Sequence, residues 1–390
     1  MTTRLCFVLT HPASAKLLLR GQLRYLQSQG FDVTVISSPG KELDEVRARE
    51  QVDTISVSMA RGLNFGDGPR AVAQLARQLS RIQPDIINAS TPKAGLFGML
   101  AAKVCRVPLR VYQLRGLRLE GERGLVRKVL GVAEHTAASC AHVVYCNSES
   151  LRDEFVNGGY SPAGKTRVLA GNGIDMDRFR TRPADRTRVR ADLGIPEHAR
   201  VIGFVGRFVE DKGIGVLLDA FEQIRGRHEE AHLLLIGGDI AGDTLSAALV
   251  NRLSSDTTHI HMTGRVEDPA PYYSAMDVFA FPSVREGLPN VVLEAAASEL
   301  AVVGLRATGV IDAIVNQVTG ALCALGDVDA FAQALEQYVV NKEYGAAHGR
   351  AGRIRVGALF EQSRVWSRWA EAYHLELERR LVGRATQAAT

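Results

Sequence analysis

Short apolar runs alternate with longer segments of helical period along most of the chain. Residues 4–10, 32–37, 54–57, 85–89, 110–113 and 142–147 read as buried strands, and residues 16–29, 68–82, 95–105 and 126–141 between them carry a helical repeat. Such alternation predicts an α/β architecture: a parallel, doubly wound sheet that binds ligands at the carboxyl ends of its strands. After a break rich in Gly, Asp, Arg and Pro at 171–196, the pattern restarts with strands at 201–206, 232–236, 260–263, 278–282 and 301–304. Helices at 213–227, 290–299 and 330–340 separate them. Two Rossmann-like halves follow, with expected limits of 1–171 and 172–361. The stretch 362–377 places Val365, Trp369 and Tyr373 on one helical face. That face predicts a helix packed back on the first half, which residues 362–390 then complete. The polar tail after Arg380 reads as frayed.

Length and composition narrow the class. A chain of 390 residues exceeds what one core ordinarily serves, and its 46% apolar and 23% charged content is that of a soluble globular protein. Cys6, Cys105, Cys140, Cys146 and Cys323 are scattered without metal or disulfide spacing, as expected of reduced thiols in a cytosol. The apolar run Leu5–Leu9 is too short for a signal peptide, and no stretch reaches the roughly 20 residues that span a bilayer. The net charge of +4 hides an asymmetry: between Arg61 and Leu130 stand 13 Lys and Arg against 4 Asp and Glu. In 106–130 these bases alternate with Leu and Val, a composition that suits an anionic membrane surface and equally a solvated face. No stacking aromatics accompany the charge, so nucleic acid is not the expected partner.

Chemistry concentrates in the second half. In Pro282–Ala297, Glu286 lies in a Gly-Pro turn and Glu294 in the helix that follows, where Pro289 suits the first helical position. Amides at such a helix start attract a phosphate or sugar oxygen, whereas two carboxylates seek hydroxyls; a capped core helix with incidental glutamates is the plainer alternative. Upstream, Arg207 leaves the strand 201–206 and Lys212 opens the next helix, so both cations can meet one diphosphate above the sheet. Asp175-Met-Asp177 and Asp327-Val-Asp329 look like metal-binding pairs, yet both sit where Asp caps a helix. His259 and His261 have no third ligand near in sequence and read as an edge-strand pair; Gly237-Gly238 reads as a turn. No metal site is expected.

Gly206-Arg207 with Lys212-Gly213, then Pro282-Ser283 leading to Glu286-Gly287 and Glu294-Ala295, closely resembles the signature of retaining family 4 glycosyltransferases of the GT-B type. The resemblance covers nearly the whole chain. Asn172–Phe179 is similar to the family's interdomain segment, and Thr308-Gly309 and Thr319-Gly320 match its later elements. Thr91–Ala102 with Leu114–Arg118 is most like bacterial enzymes of capsule, exopolysaccharide and lipid-linked oligosaccharide assembly. The resemblance implies two Rossmann-like domains facing a central cleft, the first for acceptor and the second for donor. It assigns Arg207 and Lys212, beside Gly206, to the donor diphosphate, Glu294 to the ribose, and Glu286 to the transferred sugar with amides of Gly287, Leu288 and Asn290. Arg265 and Val266 would meet the base. Arg207, Lys212 and Glu286 would carry catalysis, which loads negative charge on the departing diphosphate.

Two positions depart from the family. The loop after the first strand lacks the usual glycines, leaving His11, Ser14 or Lys16 to act by side chain, and Arg115 stands where relatives carry a histidine. Arginine cannot be a base at neutral pH, so Arg115, like Lys93, is a candidate for an acceptor phosphate or for orienting the sugar. The expected activity is retaining transfer of a hexose or N-acetylhexosamine from a nucleotide-sugar, UDP-linked, to a polyprenyl-linked saccharide in bacterial surface glycan synthesis. It needs no cofactor beyond that co-substrate, and takes place in the cytoplasm or at the inner face of the membrane. A soluble acceptor and a nucleotide-sugar epimerase of the same fold are the alternatives.

Overall fold

Two parallel sheets organise the chain. The first contains β1 (Thr3–Val8), β2 (Phe31–Ser37), β3 (Asp53–Ser56), β4 (Ile86–Ser90), β5 (Leu109–Leu114), β6 (Val143–Cys146) and β7 (Thr166–Val168), in the order β3-β2-β1-β4-β5-β6-β7. The second contains β8 (Arg200–Arg207), β9 (Ala231–Gly238), β10 (Ile260–Met262), β11 (Val278–Phe281), β12 (Val302–Leu305) and β13 (Gly320–Cys323), in the order β10-β9-β8-β11-β12-β13. The computed structural model describes residues 2–59, 66–238 and 245–389. It divides into residues 1–173 with 362–390, and residues 174–361.

In each sheet the first strand lies at the centre, the next two build outward on one side, and the chain then crosses back. β1 therefore sits beside β4 (Leu5 opposite Ile86), and β8 beside β11 (Ile202 opposite Val278). Connections leave these central pairs in opposite directions, which opens a crevice at their carboxyl ends. The inner strands are apolar on both faces because helices cover both, whereas the edge strand β3 is nowhere fully buried. In the Gly68–Ile82 helix, for example, Ala71, Leu75 and Leu79 face the core while the arginines face out.

The Gln362–Ala389 helix closes the first unit, with Val365, Trp369 and Tyr373 buried. Trp369 Nε1 donates to the carbonyls of Ala170 (3.2 Å) and Gly171 (3.1 Å), Tyr373 meets the rings of Phe7 and Phe31 edge-on, and Arg167 pairs with Glu376. The packing expected from the sequence is observed, but the helix runs on past Arg380 to Ala389 instead of fraying.

Other differences have local causes. The helix expected at 16–29 is two, Pro12–Leu18 and Gln22–Ser28, broken at Gly21 with φ 77°. A Cβ at Gly21 would lie 2.7 Å from the Trp366 ring, a contact set from the other end of the chain. β7 (Thr-Arg-Val) and β13 (Gly-Ala-Leu-Cys) were not read from the pattern, since neither carries the apolar, β-branched run that marks a buried strand. Gly237 and Gly238 end β9 and are not a turn; a Cβ at Gly237 would lie 1.8 Å from the Gly206 carbonyl oxygen. The alternating segment 106–130 is largely interior: Val107, Leu109, Val111, Leu114, Leu117 and Leu119 are buried, and Arg110 Nε donates to the Cys140 carbonyl at 2.6 Å. Arg106, Gly121 and the stretch 123–129 face out. Arg61 lies outside the described residues.

Candidate active site

The carboxyl ends of β8 and β11 bring the sequence-predicted donor residues to one edge. β8 ends in Gly206-Arg207, with Arg207 exposed. A short turn, Glu210–Lys212, follows, and Gly213 then adopts φ 72° before the Ile214–Arg225 helix begins. Lys212 thus precedes that helix and does not open it. A Cβ at Gly213 would lie 2.2 Å from the Pro282 carbonyl oxygen, so glycine lets the loop after β8 press against the loop after β11.

That contact sets the centre of the site. Lys212 Nζ lies 2.5 Å from Glu286 Oε1, and Ser283 Oγ donates to the same oxygen at 3.0 Å. Both side chains of the ion pair are largely shielded, 15% and 17% exposed, so their attraction is less screened than at an open surface. The turn is braced from beneath: Glu286 N donates to the Thr308 carbonyl at 3.1 Å, and a Cβ at Gly309 would strike the Gly287 carbonyl at 2.5 Å. Arg285 and Asp211 tie the two loops again at 2.8 Å. Thr319 Oγ1 accepts from Val315 N, while Gly320 lies too close to the Val302 carbonyl for any side chain. Thr308-Gly309 and Thr319-Gly320 are therefore scaffold.

Pro289 caps the Asn290–Ala297 helix with extended geometry (φ −75°, ψ 107°), so Asn290 and not Pro289 takes the first helical position. Gly287 and Leu288 lie in the turn before it, both buried. One turn into the helix, Glu294 accepts from Tyr273 Oη at 2.8 Å. Burial pushes the Glu294 carboxyl up, while the Tyr273 hydrogen bond and the Arg178 charge oppose that rise. Tyr273, fully buried, carried no sequence signal, since a tyrosine shortly before a strand looks like core. Arg265 and Val266 follow β10, where Gly237 N donates to the Gly264 carbonyl at 3.0 Å and so draws that loop onto the end of β9.

The first unit treats its candidates differently. His11 caps the Pro12–Leu18 helix, its Nδ1 accepting from Ala13 N at 3.2 Å; Ser14 lies within that helix, and Lys16 pairs with Glu45. Arg115 is held by Asn172 Oδ1 at 2.6 Å and Gln113 Oε1 at 3.0 Å, and desolvation lowers its pKa to about 10. Lys93 is buried at the start of the Pro92–Val104 helix, its pKa pushed down by that burial. Just before it, Thr91 has φ 75° and ψ 148°, a strained region for a β-branched residue. Thr91 Oγ1 accepts from Thr10 N and meets Thr10 Oγ1 at 2.7 Å, which fixes the crevice between β1 and β4. A threonine before proline gave no hint of a positive φ.

The Asp pairs are structural. Asp175 Oδ1 accepts from Asp177 N and Arg178 N in a turn, and Asp327 Oδ1 from Ala330 N at a helix start. Residues 199–341 match the family described as Glycosyl transferases group 1, and residues 18–172 the Glycosyl transferase 4-like domain. The capsular polysaccharide biosynthesis glycosyltransferase CapM of Staphylococcus aureus is 32% identical over 365 residues, 93% of this chain and 94% of the relative.

This chain belongs to the group 1, family 4 glycosyltransferases.

It is a glycosyltransferase of a retaining family that uses a nucleotide-sugar donor. An Escherichia coli enzyme named UDP-Gal:alpha-D-GlcNAc-diphosphoundecaprenol alpha-1,3-galactosyltransferase is 24% identical over 82% of this chain and 83% of its own. Anabaena HepE, solved with UDP-glucose, aligns with a TM-score of 0.80 at 20% identity, covering 95% of this chain and 99% of that one. This likeness shows the GT-B type of fold. Among the described residues no helix is long and apolar enough to cross a membrane.

Proposed function

We propose that the enzyme moves a hexose or N-acetylhexosamine from a UDP-sugar to a hydroxyl of a polyprenyl-linked saccharide in bacterial surface glycan synthesis. The end-to-end likeness to a capsular polysaccharide glycosyltransferase carries the reading, and the name of the Escherichia coli relative supports a UDP-sugar and a diphospho-polyprenyl acceptor. Unit 174–361 binds the donor and the first unit the acceptor, working at the inner face of the membrane.

In the donor site, Arg207 and Lys212 take the diphosphate and Glu294, held by Tyr273, the ribose hydroxyls. Arg265 and Val266 meet the base. Glu286 grips the transferred sugar through Oε2, its Oε1 being engaged by Lys212 and Ser283, with the amides of Gly287, Leu288 and Asn290 beside it. As the sugar–phosphate bond breaks, negative charge grows on the diphosphate. Arg207 and Lys212 then stabilise the transition state more than the ground state, and Glu286 holds Lys212 in place for it. The acceptor hydroxyl enters on the face the diphosphate leaves and yields its proton to a phosphate oxygen, so no protein nucleophile is required.

Nucleotide release from a panel of nucleotide-sugars, with and without a lipid-linked acceptor, tests this. Lys212→Ala is expected to lower kcat by roughly 100-fold or more. Unchanged binding and turnover in that variant would remove the site assignment. Relatives named D-inositol 3-phosphate glycosyltransferase favour a second reading, a soluble acceptor. In that case release would be stimulated without lipid.

A further inference from the structure

The helices Gly68–Ile82, Pro92–Val104 and Gly124–Cys140 border an open apolar groove of about 740 Å³, within the roughly 300–1,000 Å³ of small-molecule sites. Val72, Ala76, Leu96, Leu100, Val129 and Val132 are among its lining residues. It belongs to the first unit, whereas the candidate donor residues belong to the second. Its lining exposes apolar side chains in a way a solvated surface does not require: Val104 is 73% exposed and Val132 68%, and Leu125, one helical turn before Val129, is 76% exposed.

Charge accompanies the groove. The three helices carry seven Lys and Arg and a single acid, Glu134, which is buried and takes a hydrogen bond from Tyr112 Oη at 2.6 Å. A hydrocarbon chain with an anionic head matches this combination. Direction matters as well. In a parallel sheet each of these helices leaves the carboxyl edge and descends to the amino edge, so the groove runs down from the edge where Thr91 and Lys93 sit. Leu96, Leu100 and Val104 follow one another a turn apart, a span of about 12 Å. At the upper end Lys93 lies within electrostatic reach of Arg118 and of Asp67.

We propose that this groove holds the isoprenoid chain of the acceptor, with the acceptor's phosphates at the carboxyl edge beside Lys93 and Arg118; this rests on the lipid-linked reading above and gives it a binding site. A flat bilayer would need only exposed apolar side chains and bases, whereas a groove whose lining follows one helix from Leu96 to Val104 fits a single chain.

The test titrates geranylgeranyl phosphate into the full chain and into Val129→Glu and Val132→Glu, with inorganic phosphate and phosphatidylglycerol vesicles as companion probes. Both positions are exposed, so the folds are expected to survive, and an unchanged Tm checks that. Expected are binding by the wild type that equal inorganic phosphate does not displace, tenfold or weaker binding by each variant, and a raised KM for a polyprenyl-linked acceptor. Nucleotide-sugar binding stays unchanged. Equal binding by the variants overturns the proposal. So does loss of vesicle binding alone, which makes the groove a bilayer contact, or a dimer that the variants split, which makes its occupant a second copy. Groove-dependent binding together with transfer only to soluble saccharides upholds the groove and overturns the lipid-linked acceptor.

Discussion

Glu134 and His232 are buried titratable groups whose energetics run in opposite directions. Burial lifts the Glu134 carboxyl from its ordinary 4.5 to about 7, despite the Tyr112 hydrogen bond that favours its charged form. The folded state therefore holds the proton more tightly than the unfolded state. Its contribution is complete below about pH 4.5 and is lost as pH rises through 7. Glu134→Gln keeps an acceptor for Tyr112 without the charge, so the variant is expected to be more stable than wild type at pH 8, by no more than about 3 kcal/mol, and similar at pH 5. Urea unfolding at the two pH values measures this. His232 is the reverse: burial, then the neighbouring His261, His259, Arg225 and Arg190, depress it to about 4. Its ring Nδ1 lies 2.9 Å from His261 Nε2, a contact that leaves one of the two nitrogens as acceptor, so the two rings cannot both be protonated, and burial lowers the pKa of His261 too. The unfolded state protonates first, and stability is lost as pH falls from about 6.5 toward 4. Tm is expected to fall over that interval, and to fall less in His232→Phe.

Among the elements, the loop after β8 matters most, because its position depends on one glycine. Gly213 holds a left-handed conformation and has no room for a Cβ against the Pro282 carbonyl. Gly213→Ala is expected to destabilise unit 174–361 by about 1–2 kcal/mol from the backbone alone, and by more once the loops separate. Because Lys212 would move with it, nucleotide release should fall as well, and chemical unfolding beside the release assay reads both. The motif Lys212-Gly213 was legible in the sequence as a cation beside a glycine. Its physical content, a glycine that sets the lysine against Glu286, was not, since it depends on Pro282 some 70 residues away. The same limit explains Thr91 and Tyr273, whose strain or partner is set by a neighbouring strand or helix.

For the whole molecule, the helix 362–389 decides whether the first unit has a complete core. Trp369 and Tyr373 are buried among residues of β1, β2 and β6. Trp369→Ala is expected to cost about 3–5 kcal/mol, and a chain ending at Glu361 to lose the cooperative unfolding of the first unit while unit 174–361 keeps its own transition. Near-UV circular dichroism through a urea titration would resolve the two. The apolar and polar pattern was sufficient for the two parallel sheets, for most strands to within a residue or two, and for the amphipathic helix that returns to the first unit. Local sequence carries that information because a buried parallel strand needs an uninterrupted apolar run and a covering helix needs an apolar stripe. The cations and carboxylates of the proposed donor site were also visible as residue types. Which of them meet was not: Lys212 with Glu286, Glu294 with Tyr273, Arg115 with Asn172, and the leucines of 106–130 turned inward apart from Leu125. Those pairings, and the groove between three helices, were decided by strand order and close packing, because a side chain's partner and burial depend on elements distant in sequence.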